Sequence, residues 1–232
     1  MTNIALQAGN KKLFHLPSLH LDKGLIALVG RNGAGKSTFL KMILGDHKNF
    51  TGSIFINGKN ENEITSSQRA RLISVVYTKP EIFGNHTVKE VLLLGRIPYQ
   101  NIFSQISPED RIKVEQIANL LEIDEMLHAN FSILSDGEKQ LVMIGRALVQ
   151  DTPILLLDEP AAFLDLVNRY KLAQILKKIV VETNKLIIYS THHLDLLNQY
   201  CNGVLLISDY QMEYLTEANL FAETIKVKFG IK

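Results

Sequence analysis

Cysteine is almost missing from this chain. Cys201 stands alone among 232 residues, which excludes an intrachain disulfide framework and a cysteine-based zinc site and points to a reducing compartment. Charge imbalance is missing too. With 25 basic and 24 acidic residues the formal charge is +1, and no dense Lys/Arg block occurs, so no nucleic-acid partner is expected. No stretch approaches roughly 18 uncharged apolar residues, and the first eight residues have neither a basic start nor a long apolar region. The chain is therefore expected to be neither secreted nor membrane-spanning by itself. Internal repeats, low-complexity tracts, Gly/Ser linkers and sustained heptads are also lacking, so a second independent domain is not expected.

What is present describes an ordinary globular protein: 46% apolar residues, 21% charged, and enough length for one full core with an inserted subdomain. Bare apolar, β-branched runs at 25–29, 73–77, 154–157, 186–190 and 204–207 suit strands buried on both faces, which implies a parallel sheet covered by helices. Runs 4–8 and 53–57 alternate or carry polar residues and read as antiparallel strands near the start. The expected class is α/β with a β-rich edge. Residues 84–150 differ in character and read as a mostly helical insertion: 87–94 looks helical, and Ser107, Pro108, Glu109 and Asp110 form a helix start. Ile117, Leu120 and Leu121 give the helix that follows one apolar face. Residues 216–224 suggest one further small helix.

Between the apolar run 25–29 and the helix-like 39–44 lies Gly30-Arg31-Asn32-Gly33-Ala34-Gly35-Lys36-Ser37-Thr38. Its glycines let backbone N–H groups converge on phosphate oxygens, Lys36 adds charge at the terminal phosphates, and the Ser37 hydroxyl suits Mg²⁺. The positive end of the following helix points at the same anion. Further along, the apolar run 154–157 stops abruptly at Asp158 and Glu159. Parallel sheets place ligands at the carboxyl ends of their strands, so both acids should face the phosphate loop. Asp158 suits Mg²⁺ and Glu159 suits orienting or deprotonating an attacking water. The alternative is that the two acids merely start the next helix. Run 186–190 ends on Thr191, His192 and His193, where a histidine can donate to a γ-phosphate or position water. Ser135, Gly137 and Glu138 precede a helix-like run and offer either a second phosphate-binding surface, reaching the nucleotide of another copy, or a plain capping box with Ser135 as cap.

Together these motifs resemble the ATP-binding subunit of ATP-binding-cassette (ABC) transporters, a P-loop NTPase family, over essentially residues 1–232 as one domain. Residues 30–38 match its phosphate loop, 134–140 its signature, 154–159 its magnesium and catalytic-carboxylate strand, 161–165 the loop after it, and His192 its switch histidine. The resemblance implies ATP and Mg²⁺ as ligands. It assigns catalysis to Glu159 and His192, the metal to Ser37 and Asp158 with Thr78 as a further candidate, and contact with a second subunit's ATP to Ser135, Gly137 and Glu138. It further implies a head-to-tail dimer closed on two ATP molecules, which drives transmembrane permease subunits served by a substrate-binding protein. The chain would then sit peripherally at the cytoplasmic face of the cell membrane. Residues 87–99 and 157–170 look most like the branch that imports iron complexes, haem or cobalamin, a substrate inference by analogy only.

Some positions depart from the family pattern. Thr78 stands where the family has a magnesium-sensing glutamine, Asp136 replaces the first signature glycine, and Glu138 replaces the signature glutamine. The retained Ser135 and Gly137 imply that the sandwich survives. The aromatic that stacks on adenine falls near Asn10, leaving Phe14 as substitute candidate and implying a weak hold on the base. Permease docking is expected on residues 84–103, through Ile97, Tyr99, Ile102 and Phe103, with the subdomain core as the alternative place for these side chains. The rival function is a soluble ABC-type ATPase of DNA repair or translation, whose relatives carry long coiled-coil insertions or paired cassettes that this chain lacks.

Overall fold

The computed structural model describes residues 1–78, 82, 84–100, 106–216 and 221–230. It opens with a hairpin of β1 (Thr2–Ala8) and β2 (Lys11–Ser18), then β3 (Gly24–Gly30) runs into α1 (Lys36–Leu44). Next come β4 (Phe50–Ser53), a small separate ribbon of β5 (Phe55–Ile56) and β6 (Lys59–Asn60), the short α2 (Ser66–Ala70) and β7 (Ile73–Val76). Three helices follow, α3 (Val88–Leu93), α4 (Pro108–Leu120) and α5 (Asp136–Val149). The chain then alternates β8 (Ile154–Leu157), α6 (Leu166–Thr183), β9 (Leu186–Thr191), α7 (Leu197–Tyr200) and β10 (Gly203–Ser208), and finishes its described part with β11 (Gln211–Leu215) and α8 (Phe221–Phe229).

Nine strands form one sheet in the order β4-β1-β2-β11-β10-β3-β9-β8-β7. From β10 to β7 every pairing is parallel. Beyond β10 the sheet has the antiparallel pairs β10–β11, β1–β2 and β1–β4. The sequence expectation of a parallel sheet with a β-rich edge holds. Two strands on this side were not legible: β2 begins on two lysines and contains Pro17, and β11 mixes Gln211 and Glu213 with apolar residues. Run 53–57 also breaks, into the last residue of β4 and the whole of the two-residue β5.

Alternation along β3 shows why the sheet is apolar throughout. Leu25, Ala27 and Val29 join a core shared with α3 through α8, whereas Ile26 and Leu28 join a second core with Phe39, Leu40, Met42 and Ile43 of α1. Both faces are covered, so each residue of β3 is buried. Ser107 caps α4 through a reciprocal box with Asp110, and Thr87 and Glu90 do the same for α3. The result is a sheet whose strands β3, β8 and β9 are neighbours and end on the same side, where the loops after them meet.

Candidate active site

The loop after β3 turns through left-handed Gly33 (φ +74°) and Gly35 (φ +108°), conformations open to glycine at little cost. This turn ends at Lys36, the first residue of α1, so the helix N-terminus faces the loop. Lys36 is buried, and its Nζ donates to the Gly30 carbonyl at 3.0 Å. Its charge is therefore held inside the loop, where a phosphate would lie.

The loop after β8 meets it. Ser37 Oγ donates to Asp158 Oδ1 at 3.1 Å, and Ser190 Oγ donates to the same oxygen at 2.7 Å. Ser190, near the end of β9, is fully buried and also accepts the Glu159 backbone N–H at 2.7 Å. Glu159 sits at φ +48°, an uncommon left-handed conformation for a side chain of its size, and this hydrogen bond helps hold it there. Its carboxylate is directed to the lysine and His192: Oε1 lies 3.8 Å from Lys36 Nζ and 3.4 Å from His192 Nδ1. The two acids do not start the next helix. Helix α6 begins seven positions later, with Asp165 as its cap. Thr78, just past β7, donates its hydroxyl to the Asp158 carbonyl at 2.9 Å, which places it beside the acid but with its proton already engaged.

Four strand ends, those of β3, β7, β8 and β9, thus bring Lys36, Ser37, Thr78, Asp158, Glu159 and His192 together. The sequence reading missed Ser190, which joins Asp158 to Glu159. Its one available signal was a hydroxyl closing an otherwise apolar strand. His193 was grouped with His192 but does a different thing: it faces away toward α6, where Arg169 Nη1 donates to its Nδ1 at 2.8 Å. Burial, then the guanidinium, hold the His193 imidazole below its ordinary value.

Ser135, Gly137 and Glu138 lie elsewhere, at the start of α5. Ser135 caps that helix, and Glu138 returns the bond to the Ser135 N–H at 2.8 Å and to its hydroxyl at 2.6 Å. Among the described residues, no hydrogen bond or ion pair links them to loop 30–38. Those hydrogen bonds draw the Glu138 carboxyl below the usual range.

Phe14 cannot stack on a base. It is buried and packs edge-on against Phe39 with ring centroids 5.9 Å apart. The aromatics that border the phosphate loop are Tyr210 and Phe229, which line a cleft of about 270 Å³ together with Lys11, Lys12, Arg31, Asn32 and Gly33. Tyr210 is exposed in the β10–β11 turn, and Arg31 lies 5.6 Å over the Phe229 ring while donating to its carbonyl.

Against this geometry, the family model described as ABC transporter matches residues 16–162. The chain belongs to the ABC transporter family. It is an ATP-binding ABC ATPase with the family's P-loop fold. An uncharacterized ABC transporter ATP-binding protein of Methanocaldococcus jannaschii is 32% identical over 90% of this chain and 73% of its own length. The achromobactin transport ATP-binding protein of Dickeya dadantii is 33% identical over 82% of this chain and 71% of its own. The iron(3+)-hydroxamate import ATP-binding protein of Bacillus subtilis is 31% identical, over 81% and 70%. A solved metal-chelate type ABC transporter in an inward-facing conformation superimposes with a TM-score of 0.81 at 25% identity, covering 99% of this chain and 87% of that one. An ATP-binding cassette in its ADP conformation reaches a TM-score of 0.84 at 22% identity, over 97% and 94%, which supports the fold.

Proposed function

We propose that this chain is the ATP-hydrolysing subunit of an importer for iron-siderophore or related iron, haem or cobalamin complexes. The observation that carries the hydrolytic part is the convergence of Lys36, Asp158, Glu159 and His192 through Ser190 and Ser37. The cargo class rests on the names of its relatives, which include achromobactin and iron(3+)-hydroxamate transport proteins.

In this reading backbone N–H groups of Gly33, Ala34, Gly35 and Lys36 take the phosphates, with Arg31, Asn32 and Thr38 completing the loop. Lys36 exchanges the Gly30 carbonyl for a phosphate oxygen. A hydroxyl and a carboxylate are hard oxygen donors, so Ser37 and Asp158 fit Mg²⁺, with Thr78 nearby. Bound there, Mg²⁺ would neutralise charge developing on the β- and γ-phosphates. Glu159 orients the attacking water and accepts its proton, while His192 donates to the γ-phosphate side of the same space. The base lies in the cleft beside Tyr210 and Phe229.

Ser135, Gly137 and Glu138 then serve the ATP of a second copy in a head-to-tail dimer. Residues 84–150 act as the inserted helical part that carries this signature and the permease contact. Ile97, 58% exposed, is the docking candidate there, whereas Ile102 and Phe103 lie outside the described residues. Arg96 is no free docking charge: its Nε donates to Asp110 at 2.6 Å and it stacks on Tyr99. In this reading the chain drives transmembrane permease subunits, with a substrate-binding protein supplying cargo; no helix among the described residues is long and apolar enough to cross a membrane. The chain works from the cytoplasmic face.

Steady-state phosphate release by Glu159→Gln tests the hydrolytic reading, which predicts near-complete loss; unchanged turnover contradicts it. Copurification in detergent tests transport: a multi-span membrane protein is expected, and ribosome or DNA association in its place would refute an importer.

A further inference from the structure

Arg169 has no place in the chemistry so far, yet its head group is set beside it. It lies in the first turn of α6, directly after the loop 161–165, and borders Pro160, Ala161, Leu172, Tyr189 and Leu196. Its Nε is buried with no partner, while Nη1 donates to His193 Nδ1 at 2.8 Å. A buried donor left unpaired is costly. Arginine offers donors alone and keeps its charge, so His193 must accept through Nδ1, neutral, with its proton on Nε2. The His193 N–H in turn donates to Thr191 Oγ1 at 3.0 Å. The short turn from Thr191 to His193 is thereby pinned from both sides. His192 stands between the two pinned residues and lies 3.4 Å from Glu159.

We propose that Arg169 is a positioning residue for hydrolysis, fixing His193 so that the turn presents His192 to Glu159. The proposal rests on the catalytic reading of Glu159 and His192 above. It also ties the loop 161–165 to the histidine, because Asp165 caps the helix that carries Arg169 and bonds the Asn168 N–H at 2.8 Å.

The pairing has a pH signature. The charged and titratable groups facing His193 are Arg169 from α6, His192 and Asp195 from its own loop, and Glu159 from the end of β8. Protonation of His193 removes the acceptor and sets an imidazolium against the guanidinium. Activity is then retained while His193 is neutral and lost as pH falls through its lowered pKa, below the ordinary histidine range of about 6.5.

The test measures kcat and KM for ATP against pH in the full chain assembled with its permease. Arg169→Met should lower kcat about tenfold or more with KM little changed, since a small misplacement of a catalytic group is expensive. Its acid limb should flatten, because protonating His193 then breaks no pairing, and Arg169→Lys should restore part of kcat. His193→Asn keeps an acceptor for Arg169 but cannot titrate; it should retain kcat near neutrality and flatten the acid limb. A wild-type kcat and acid limb in Arg169→Met overturn the proposal. Where that variant fails to fold, a wild-type acid limb in His193→Asn overturns it instead. Full turnover in Glu159→Gln would defeat the underlying site reading; loss there, with Arg169→Met and His193→Asn unchanged, defeats the positioning role alone.

Discussion

The strand-end cluster and the start of α5 are built in opposite ways. At the strand ends, polar groups from separate elements satisfy one another: Ser37 and Ser190 share one Asp158 oxygen, Ser190 holds the Glu159 backbone, and Lys36 stays buried against Gly30. At the start of α5, exposed Ser135 and half-buried Glu138 are three residues apart and satisfied by each other. The first arrangement requires the whole sheet, whereas the second requires one helical turn. Long-range convergence of buried polar groups has to be explained by what they hold, while a capping box is explained by its own helix. Under the proposed function, Ser135 acts on ATP only together with a second subunit.

The largest effect expected from breaking the strand-end cluster is in Glu159→Gln or Lys36→Ala. General-base loss alone costs about 10²–10⁴-fold in rate, read as phosphate release at saturating ATP. Ser190→Ala should come next. It leaves Asp158 short of one donor and frees the strained Glu159 backbone, which should lower stability by about 1–3 kcal/mol and reduce turnover, checked by thermal melting beside kinetics.

Two matching caps sharpen the other half of the comparison. Ser107→Ala and Ser135→Ala each remove the same kind of box, so each should cost about 1 kcal/mol in unfolding free energy. Turnover should fall in Ser135→Ala alone; equal turnover in both would reduce Ser135 to a helix cap. The smallest effect concerns pH. The Glu138 carboxyl is held below its ordinary value, first by the Ser135 hydroxyl and then by its N–H. A depressed carboxyl contributes stability above its unfolded pKa and loses it as pH falls through the folded one. Melting temperature should therefore fall slightly less on acidification in Glu138→Gln than in the parent, a small difference because the group is nearly exposed.

These same regions show what local sequence carries. The phosphate loop, the strand ending in Asp158 and Glu159, and the caps at Ser107 and Ser135 were all readable, because each is a short pattern with its own backbone chemistry, whereas the Thr87 cap was passed over. Ser190 was hidden at the end of an apolar run, since only its pairing with β3 and β8 shows what it bonds. The Arg169–His193 contact joins residues 24 positions apart across a helix and was equally invisible. Phe14 illustrates the converse: an aromatic at a suitable sequence distance was taken into the core by Phe39, while Tyr210 came to the loop from a distant hairpin turn. Strands β2 and β11 escaped because their lysines, proline and glutamine weaken the period-two pattern.

Mixing two inactive chains tests the composite site most directly. Lys36→Ala lacks the loop lysine but keeps its signature, and Ser135→Arg lacks the signature hydroxyl but keeps its loop. A head-to-tail dimer of one of each restores one intact pairing, so the mixture should regain ATP turnover that neither homogeneous protein has. No recovery in a mixture shown to form such dimers, or full activity of Ser135→Arg alone, would contradict the claim that each ATP is held by two subunits.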